Sequence, residues 1–151
     1  MRKIMYVIAM LAVAMPLFAA DPFVGTWKLD PAKSKYTAGS APKDVTIVIE
    51  GQGDSYQVAA TGTYADGSPI SVKYTIPKAG GTGTVQEGPF DAVTSKRVSA
   101  RVRENTYTKN GKETVSRRVV VSRDGKTLTN TVKGIGPQGK PLAGVDVFNK
   151  Q

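Results

Sequence analysis

The 151-residue sequence contains no histidine and no cysteine, the side chains that most often serve as general bases, thiol nucleophiles or zinc ligands. Two carboxylate pairs remain, Glu87 with Asp91 and Glu50 with Asp54, each flanking a turn. Acidic side chains beside turns are usually solvated, and neither pair has the repeated spacing of a calcium-binding loop. We therefore predict no enzyme activity, no catalytic residue, no metal site and no cofactor. A carboxylate-dependent enzyme is the alternative, and it requires Glu87 and Asp91 to converge in one cleft.

Arg117 is the second candidate for chemistry, because it alternates with three valines in the segment 112–122. If those valines point into a core, Arg117 points inward with them. A buried guanidinium needs an internal carboxylate or an anionic ligand as its partner. Arg97, in phase with Val93, is the candidate to meet it from a neighbouring strand. Alternatively, the three consecutive valines at 119–121 do not determine which side chains of the strand face the core, or Arg117 lies near an open end of the barrel and its guanidinium extends to water.

Basic residues are concentrated in one part of the chain. The sequence has 21 Lys and Arg against 12 Asp and Glu, and the segment 96–126 holds ten of the basic and three of the acidic residues. An outer face of this kind is a candidate to attract an anionic envelope component, or it is a solvated face that protects sheet edges from aggregation. Nucleic acid is not a predicted partner, because Tyr107 is the only aromatic residue in the segment. The predicted basic face comprises Lys96, Arg101, Arg103, Lys109, Lys112, Arg118, Arg123 and Lys126.

Alternation of apolar and polar residues with period two recurs from residue 21 to the end, which predicts an all-β chain. Three dipeptides that favour tight hairpins, Asp66-Gly67, Asn110-Gly111 and Asp124-Gly125, join consecutive segments of this kind. Gly80-Gly81-Thr82-Gly83 interrupts the alternation and is predicted to be a flexible loop. It lacks the Gly-Lys-Ser/Thr ending of a phosphate-binding loop, so nucleotide binding is not predicted there. Strands are predicted at 23–29, 45–50, 55–64, 69–77, 91–98, 102–109, 112–122, 127–134 and 142–150.

The succession of hairpins predicts an antiparallel up-and-down β-barrel, or a strongly curved sheet, of about eight to nine strands. A β-sandwich is the next architecture. Residues 21–151 are enough for one domain with one core, so we predict a single β domain. The interior of such a barrel either holds one small ligand or is filled by side chains.

The first twenty residues are typical of a secretory signal peptide. Arg2 and Lys3 precede an apolar run from Ile4 to Met15, and small residues end the segment at Ala19-Ala20. This predicts an N-terminal signal helix over 1–20, removed on export, and a periplasmic or secreted protein. The apolar run is shorter than the roughly twenty residues that span a bilayer, so no transmembrane segment is predicted in the mature chain.

Phe23-Val24-Gly25-Thr26-Trp27-Lys28-Leu29 resembles the opening strand of the calycins, the group of lipocalins and fatty-acid-binding proteins. The longer string Gly25–Lys35 resembles a small group of exported bacterial proteins without an established activity. The resemblance implies a lipocalin-like barrel in which Trp27 packs at the closed end beneath a basic side chain, here Lys150. It also implies that Gly25 permits a close backbone approach at a barrel corner.

Two departures from fatty-acid-binding proteins separate the chain from that family's ligand. Only residues 30–44 are available where the family has a helical lid, and Asp146-Val147-Phe148 stands where the family has Arg-x-Tyr. A negative side chain at this point would repel a fatty-acid headgroup.

We predict an exported lipocalin-like binding protein for a small apolar or amphiphilic ligand. The alternative is a non-enzymatic structural or interaction module of the envelope that acts through the basic face at residues 96–126. The candidate ligand-binding residues are Trp27, Tyr56, Tyr64, Tyr74, Arg97, Tyr107 and Arg117.

Overall fold

The computed structural model describes residues 19–39, 41–136 and 139–151, so nearly all of the predicted signal helix lies outside the described residues. Within these ranges the chain forms twelve strands and no helix, and hence none that could span a membrane. The strands are β1 Gly25–Leu29, β2 Lys35–Ala38, β3 Pro42–Gln52, β4 Ser55–Tyr64, β5 Pro69–Pro77, β6 Gly81–Thr82, β7 Thr84–Glu87, β8 Ala92–Ser99, β9 Val102–Lys109, β10 Lys112–Val121, β11 Thr127–Ile135 and β12 Pro141–Lys150.

All neighbouring strands in the sheet are antiparallel, and most are joined by short turns. Strand β1 lies between β12 and β3 and so joins the two halves of the sheet. The segment 81–87 pairs first with β8 and then with β5, which brings the two edges of the sheet together. The result is a nearly closed up-and-down barrel, which confirms the predicted all-β antiparallel architecture.

Twelve strands rather than eight or nine form the barrel, because three short strands fall in segments that the alternation pattern missed. The prediction of a flexible loop at Gly80–Gly83 was wrong. Gly81 and Thr82 pair with Ser95 and Thr94 of β8. A Cβ atom on Gly83 would lie 2.0 Å from the carbonyl oxygen of Thr75, so the glycine there permits a close strand crossing rather than flexibility.

One end of the barrel is filled by aromatic packing around Trp27, which is fully buried. Its indole Nε1 donates a hydrogen bond to the carbonyl oxygen of Phe23 at 2.9 Å, and Lys150 Nζ lies 5.1 Å from the centre of the ring. Gly25 has a φ of +143°, and a Cβ atom there would lie 2.5 Å from Lys150 Cε. The glycine therefore makes room for the lysine side chain, whereas the sequence predicted a close backbone approach. We call this region the Trp27 end.

Candidate ligand-binding site inside the barrel

The barrel encloses a cavity of about 150 Å³ whose walls are mainly aliphatic and aromatic. Three rings form its centre: the Phe90 and Tyr107 ring centres are 4.6 Å apart, and the Tyr74 and Tyr107 ring centres are 5.7 Å apart. The hydroxyl oxygens of Tyr74 and Tyr107 are hydrogen-bonded at 2.9 Å, so both polar groups are satisfied inside the wall.

A second pocket of about 310 Å³ continues the cavity towards the β4–β5 and β11–β12 turns. The two spaces share part of their lining, including Tyr64, Pro89 and Leu142. Access to the interior is therefore available at the end of the barrel opposite Trp27.

A group of four polar side chains, which we call the Asp146 site, lies in the cavity wall: Tyr36, Arg117, Asn130 and Asp146. Asp146 Oδ2 accepts a hydrogen bond from Tyr36 Oη at 2.9 Å and lies 3.9 Å from Arg117 Nη1. Asn130 of β11 is the direct register partner of Asp146 on β12, so the two side chains share one face of the sheet. Each of four strands, β2, β10, β11 and β12, thus contributes one polar side chain to a single site in an otherwise apolar interior.

Tyr36 reaches the Asp146 site because β2 pairs with β12 next to it, with Tyr36 opposite Gly144. A Cβ atom on Gly144 would lie 2.7 Å from Tyr36 Cγ, which is closer than real contacts allow. A glycine is therefore required at residue 144 for the tyrosine ring to lie over the strand and point its hydroxyl at the carboxylate.

Burial and pairing determine the charge states in the Asp146 site. Burial raises the pKa of Asp146, and Arg117 and the Tyr36 hydrogen bond offset only part of this effect. Burial alone would lower the pKa of Arg117, but Tyr107 and Asp146 more than compensate, so its pKa is raised. Burial also raises the pKa of the Tyr36 hydroxyl strongly. Arg117 is therefore charged, Tyr36 is neutral, and Asp146 is easier to protonate than a solvated aspartate.

Two acceptors in the Asp146 site have no hydrogen-bond partner among the described residues. They are Asn130 Oδ1 and Asp146 Oδ1, and the two residues are 3% and 2% exposed. A buried oxygen without a donor costs free energy, on the order of 1–3 kcal/mol. This arrangement can accept hydrogen bonds from a molecule that enters the cavity.

Five of the seven predicted ligand-binding residues line the cavity, namely Tyr56, Tyr64, Tyr74, Tyr107 and Arg117. Trp27 is packed behind the wall and does not line it. Arg97 is exposed at the irregular end of β8, opposite Arg103, and does not meet Arg117 because β9 lies between their strands. As the register partner of the buried Arg103, Arg97 keeps the predicted phase, but it lies in the last regular pair before the irregular end of β8, where its side chain is exposed.

The prediction that Arg103 belongs to the basic face at residues 96–126 was wrong. Its side chain is 3% exposed and points into the barrel. Arg103 shares the phase of Asn105 and Tyr107, and this is the signal that could have placed it inside. The other seven members are exposed. At the centre of the face Glu104 lies opposite both Lys96 and Arg118 and forms an ion pair with Arg118. The outer surface of these strands therefore remains mainly basic, with one acidic side chain, Glu104, at its centre.

Tyr36, Asn130 and Asp146 are functional candidates that the sequence predictions missed. Asp146 alternates with Leu142 and Phe148, and Asn130 alternates with Leu128 and Val132, so strand phase could have found both. Nothing in the segment around Tyr36 indicates a strand, since Pro, Ala, Ser and Gly are frequent there.

The carboxylates considered for catalysis are engaged in separate surface contacts. Glu87 accepts a hydrogen bond from Ser71 Oγ, and Asp91 accepts one from the backbone N–H of Asn110. Both are exposed. In the described part of the chain, no three acidic side chains are grouped so that they could bind a metal ion.

No protein-family model and no curated protein sequence matches the chain. Among solved structures, a crystal structure of apocrustacyanin C1 is similar to this chain, with a TM-score of 0.45 and 12% sequence identity. The match covers 87% of this chain and 62% of the apocrustacyanin chain. The chain thus spans less than two thirds of the length of that protein.

Proposed function

We propose that the protein is an exported binding protein that holds a small apolar or amphiphilic molecule inside its barrel. One observation carries this proposal: an apolar cavity contains a buried polar site with two acceptors that have no partner among the described residues. A barrel filled by its own side chains would have neither the space nor the unsatisfied oxygens.

The dimensions of the cavity indicate the size of the ligand. An engineered protein cavity of about 150 Å³ with an aliphatic and aromatic lining binds benzene. The cavity of this barrel has the same volume, so it accommodates a single ring or a branched chain of similar size. Longer ligands would extend into the second pocket beside Tyr64, Pro89 and Leu142.

Export is proposed on the signal-like sequence of residues 1–20 alone. Fractionation of the producing cell tests it. We expect the processed chain, shortened by about twenty residues, in the periplasm or the medium, and an unprocessed chain in the cytoplasm would contradict it.

Titration calorimetry with toluene tests binding to the interior. We expect saturable binding to the mature protein and a loss of at least about tenfold in Ala60→Leu, because Ala60 lines the cavity and the larger side chain would fill it. Ala59→Leu is the matched control, since residue 59 lies on the opposite face of the same strand. Equal affinity of the two variants, or no binding to the parent protein, would contradict an interior site.

A further inference from the structure

We infer that the ligand is an uncharged, ring-sized apolar molecule that carries a hydrogen-bond donor, a hydroxyl or an amino group, and that this donor binds the Asn130 and Asp146 acceptors. The inference rests on the proposed binding function and names the chemical class of the ligand.

The charge inventory of the cavity argues against an anionic ligand. Arg117 is the only cation of the Asp146 site, and it lies 3.9 Å from Asp146 Oδ2. A carboxylate placed beside Arg117 would therefore also lie beside Asp146, and this repulsion offsets the attraction to the guanidinium. The other arginine in the lining, Arg103, donates its hydrogen bonds to Ser95 and to the carbonyls of residues 77 and 78.

The unpartnered atoms specify which group the ligand must offer. Both Asn130 Oδ1 and Asp146 Oδ1 are acceptors, and both side chains are more than nine-tenths buried in the cavity wall. Direct partners on adjacent antiparallel strands have Cβ atoms about 5 Å apart, so we expect a single donor group placed between the two side chains to reach both oxygens. A ligand without a donor leaves these oxygens unsatisfied, whereas a hydroxyl or amino group satisfies them.

The ligand is expected to be neutral for the same reason. An ammonium group would gain from Asp146 but would lie beside the guanidinium of Arg117, which is 3.9 Å from the same carboxylate. Tyr107 also fixes this guanidinium, which lies 5.8 Å from the centre of its ring. Phenols, alcohols and aromatic amines combine a neutral charge with the required donor.

Calorimetry with four probes on one molecular frame tests the inference: toluene, 4-methylphenol, 4-methylaniline and 4-methylbenzoate. With the mature protein we expect the phenol and the aniline to bind about tenfold more tightly than toluene, as one hydrogen bond to a charged acceptor would give. The benzoate should bind more weakly than toluene. Equal affinities for the phenol, the aniline and toluene would overturn the donor class while the binding function stands. Tightest binding of the benzoate would overturn it in favour of an anion site, and no binding of any probe would remove the proposed function as well.

Two variants locate the donor contact. Asn130→Leu should reduce the advantage of 4-methylphenol over toluene, because one of the two acceptors is lost, whereas Thr131→Val, on the outer face next to it, should keep the full advantage. Asp146→Asn leaves Arg117 without its carboxylate partner, so we expect 4-methylbenzoate affinity to rise about tenfold. Circular dichroism shows whether each variant is folded. A folded Asp146→Asn variant with the parent's order of preference would overturn the assignment.

Discussion

The two ends of the barrel each contain an arginine that lines the cavity, the buried Arg103 and the half-buried Arg117, and the two make different contacts. At the Trp27 end, Arg103 donates to Ser95 Oγ and to the carbonyl oxygens of Pro77 and Lys78 at 2.7–3.0 Å, with the Tyr56 ring centre 5.4 Å away. In the Asp146 site, Arg117 has a 3.9 Å contact with a carboxylate and a ring beside it.

This difference separates an arginine held by hydrogen bonds to neutral oxygens from one that is paired with a carboxylate. None of the three ion pairs among the described residues includes Arg103, and burial lowers its pKa, yet its hydrogen bonds to neutral oxygens hold it in place. The Asp146 site has the opposite character, because its charges are paired while two of its acceptors lack donors. The guanidinium nitrogens of Arg103 are all hydrogen-bonded at the Trp27 end, whereas the Asp146 site, where we propose that the ligand binds, has two acceptors without donors.

The largest effect is expected from truncating the aromatic residue that fills the Trp27 end. Trp27→Ala should lower the free energy of unfolding by about 3–5 kcal/mol, because it removes a fully buried indole and leaves a cavity. Urea denaturation measures this loss. Trp27→Phe, which keeps a ring but loses the hydrogen bond to Phe23, should lose less, and equal losses for the two variants would contradict ring packing as the main contribution.

Replacing each arginine by methionine contrasts the two ends directly. Arg103→Met should cost about 2–4 kcal/mol, since Ser95 and two backbone carbonyls lose their donor. Arg117→Met should cost less, because burial already raises the pKa of Asp146, so this carboxyl can take up a proton when its cation is lost and stay hydrogen-bonded to Tyr36. Equal costs in parallel urea titrations would remove the distinction between the ends.

The pH dependence of stability sharpens the account of the Asp146 site. The pKa of Asp146 is raised above its ordinary value of 3.8 by burial, so its contribution to stability is largest below that value and is lost as the pH rises through the folded-state pKa. Asp30 and Asp124 act in the opposite sense, because hydrogen bonds from Asn149 and from Ser122 lower their pKa values. Subtracting the urea-unfolding profile of Asp146→Asn from that of the parent isolates Asp146. A difference that grows with pH in favour of the parent would contradict the sign.

The smallest effect is expected on the outer surface. Glu104→Gln breaks the ion pair with Arg118, where both side chains are close to half exposed, so the free energy of unfolding should change by less than about 1 kcal/mol. Binding of 4-methylphenol should be unchanged. An effect as large as that of Arg103→Met would show that the outer face matters more to the barrel than its buried end.

The alternation of apolar and polar residues and the hairpin dipeptides predicted most of the fold. The bounds of β4, β5 and β9 are those predicted, and the hairpin dipeptides at residues 66, 110 and 124 lie in turns. The sequence could not indicate β2, β6 or β7, because they are short strands that pair only through tertiary contacts.

The candidate site was also predicted only in part, because local strand patterns indicate which side chains face the core but not which strands are neighbours. Phase with neighbouring valines predicted that Arg117 points inward, and it lies in the cavity wall. Its distance from Asp146 depends on β10, β11 and β12 being adjacent, and Tyr36 joins them only through the pairing of β2 with β12. Asp124-Gly125 indicates the β10–β11 hairpin, but the pairing of β2 with β12 leaves no local pattern in the sequence.

Nuclear magnetic resonance of labelled protein during titration with 4-methylphenol tests the central claim most directly. We predict saturable shifts of the Asn130 side-chain amide and of the Tyr36 ring, which lie in the Asp146 site, with the Trp27 indole N–H unmoved because it stays bonded to Phe23. Shifts confined to the exposed lysines and arginines of residues 96–126, or a Trp27 shift as large as that of Asn130, would contradict it.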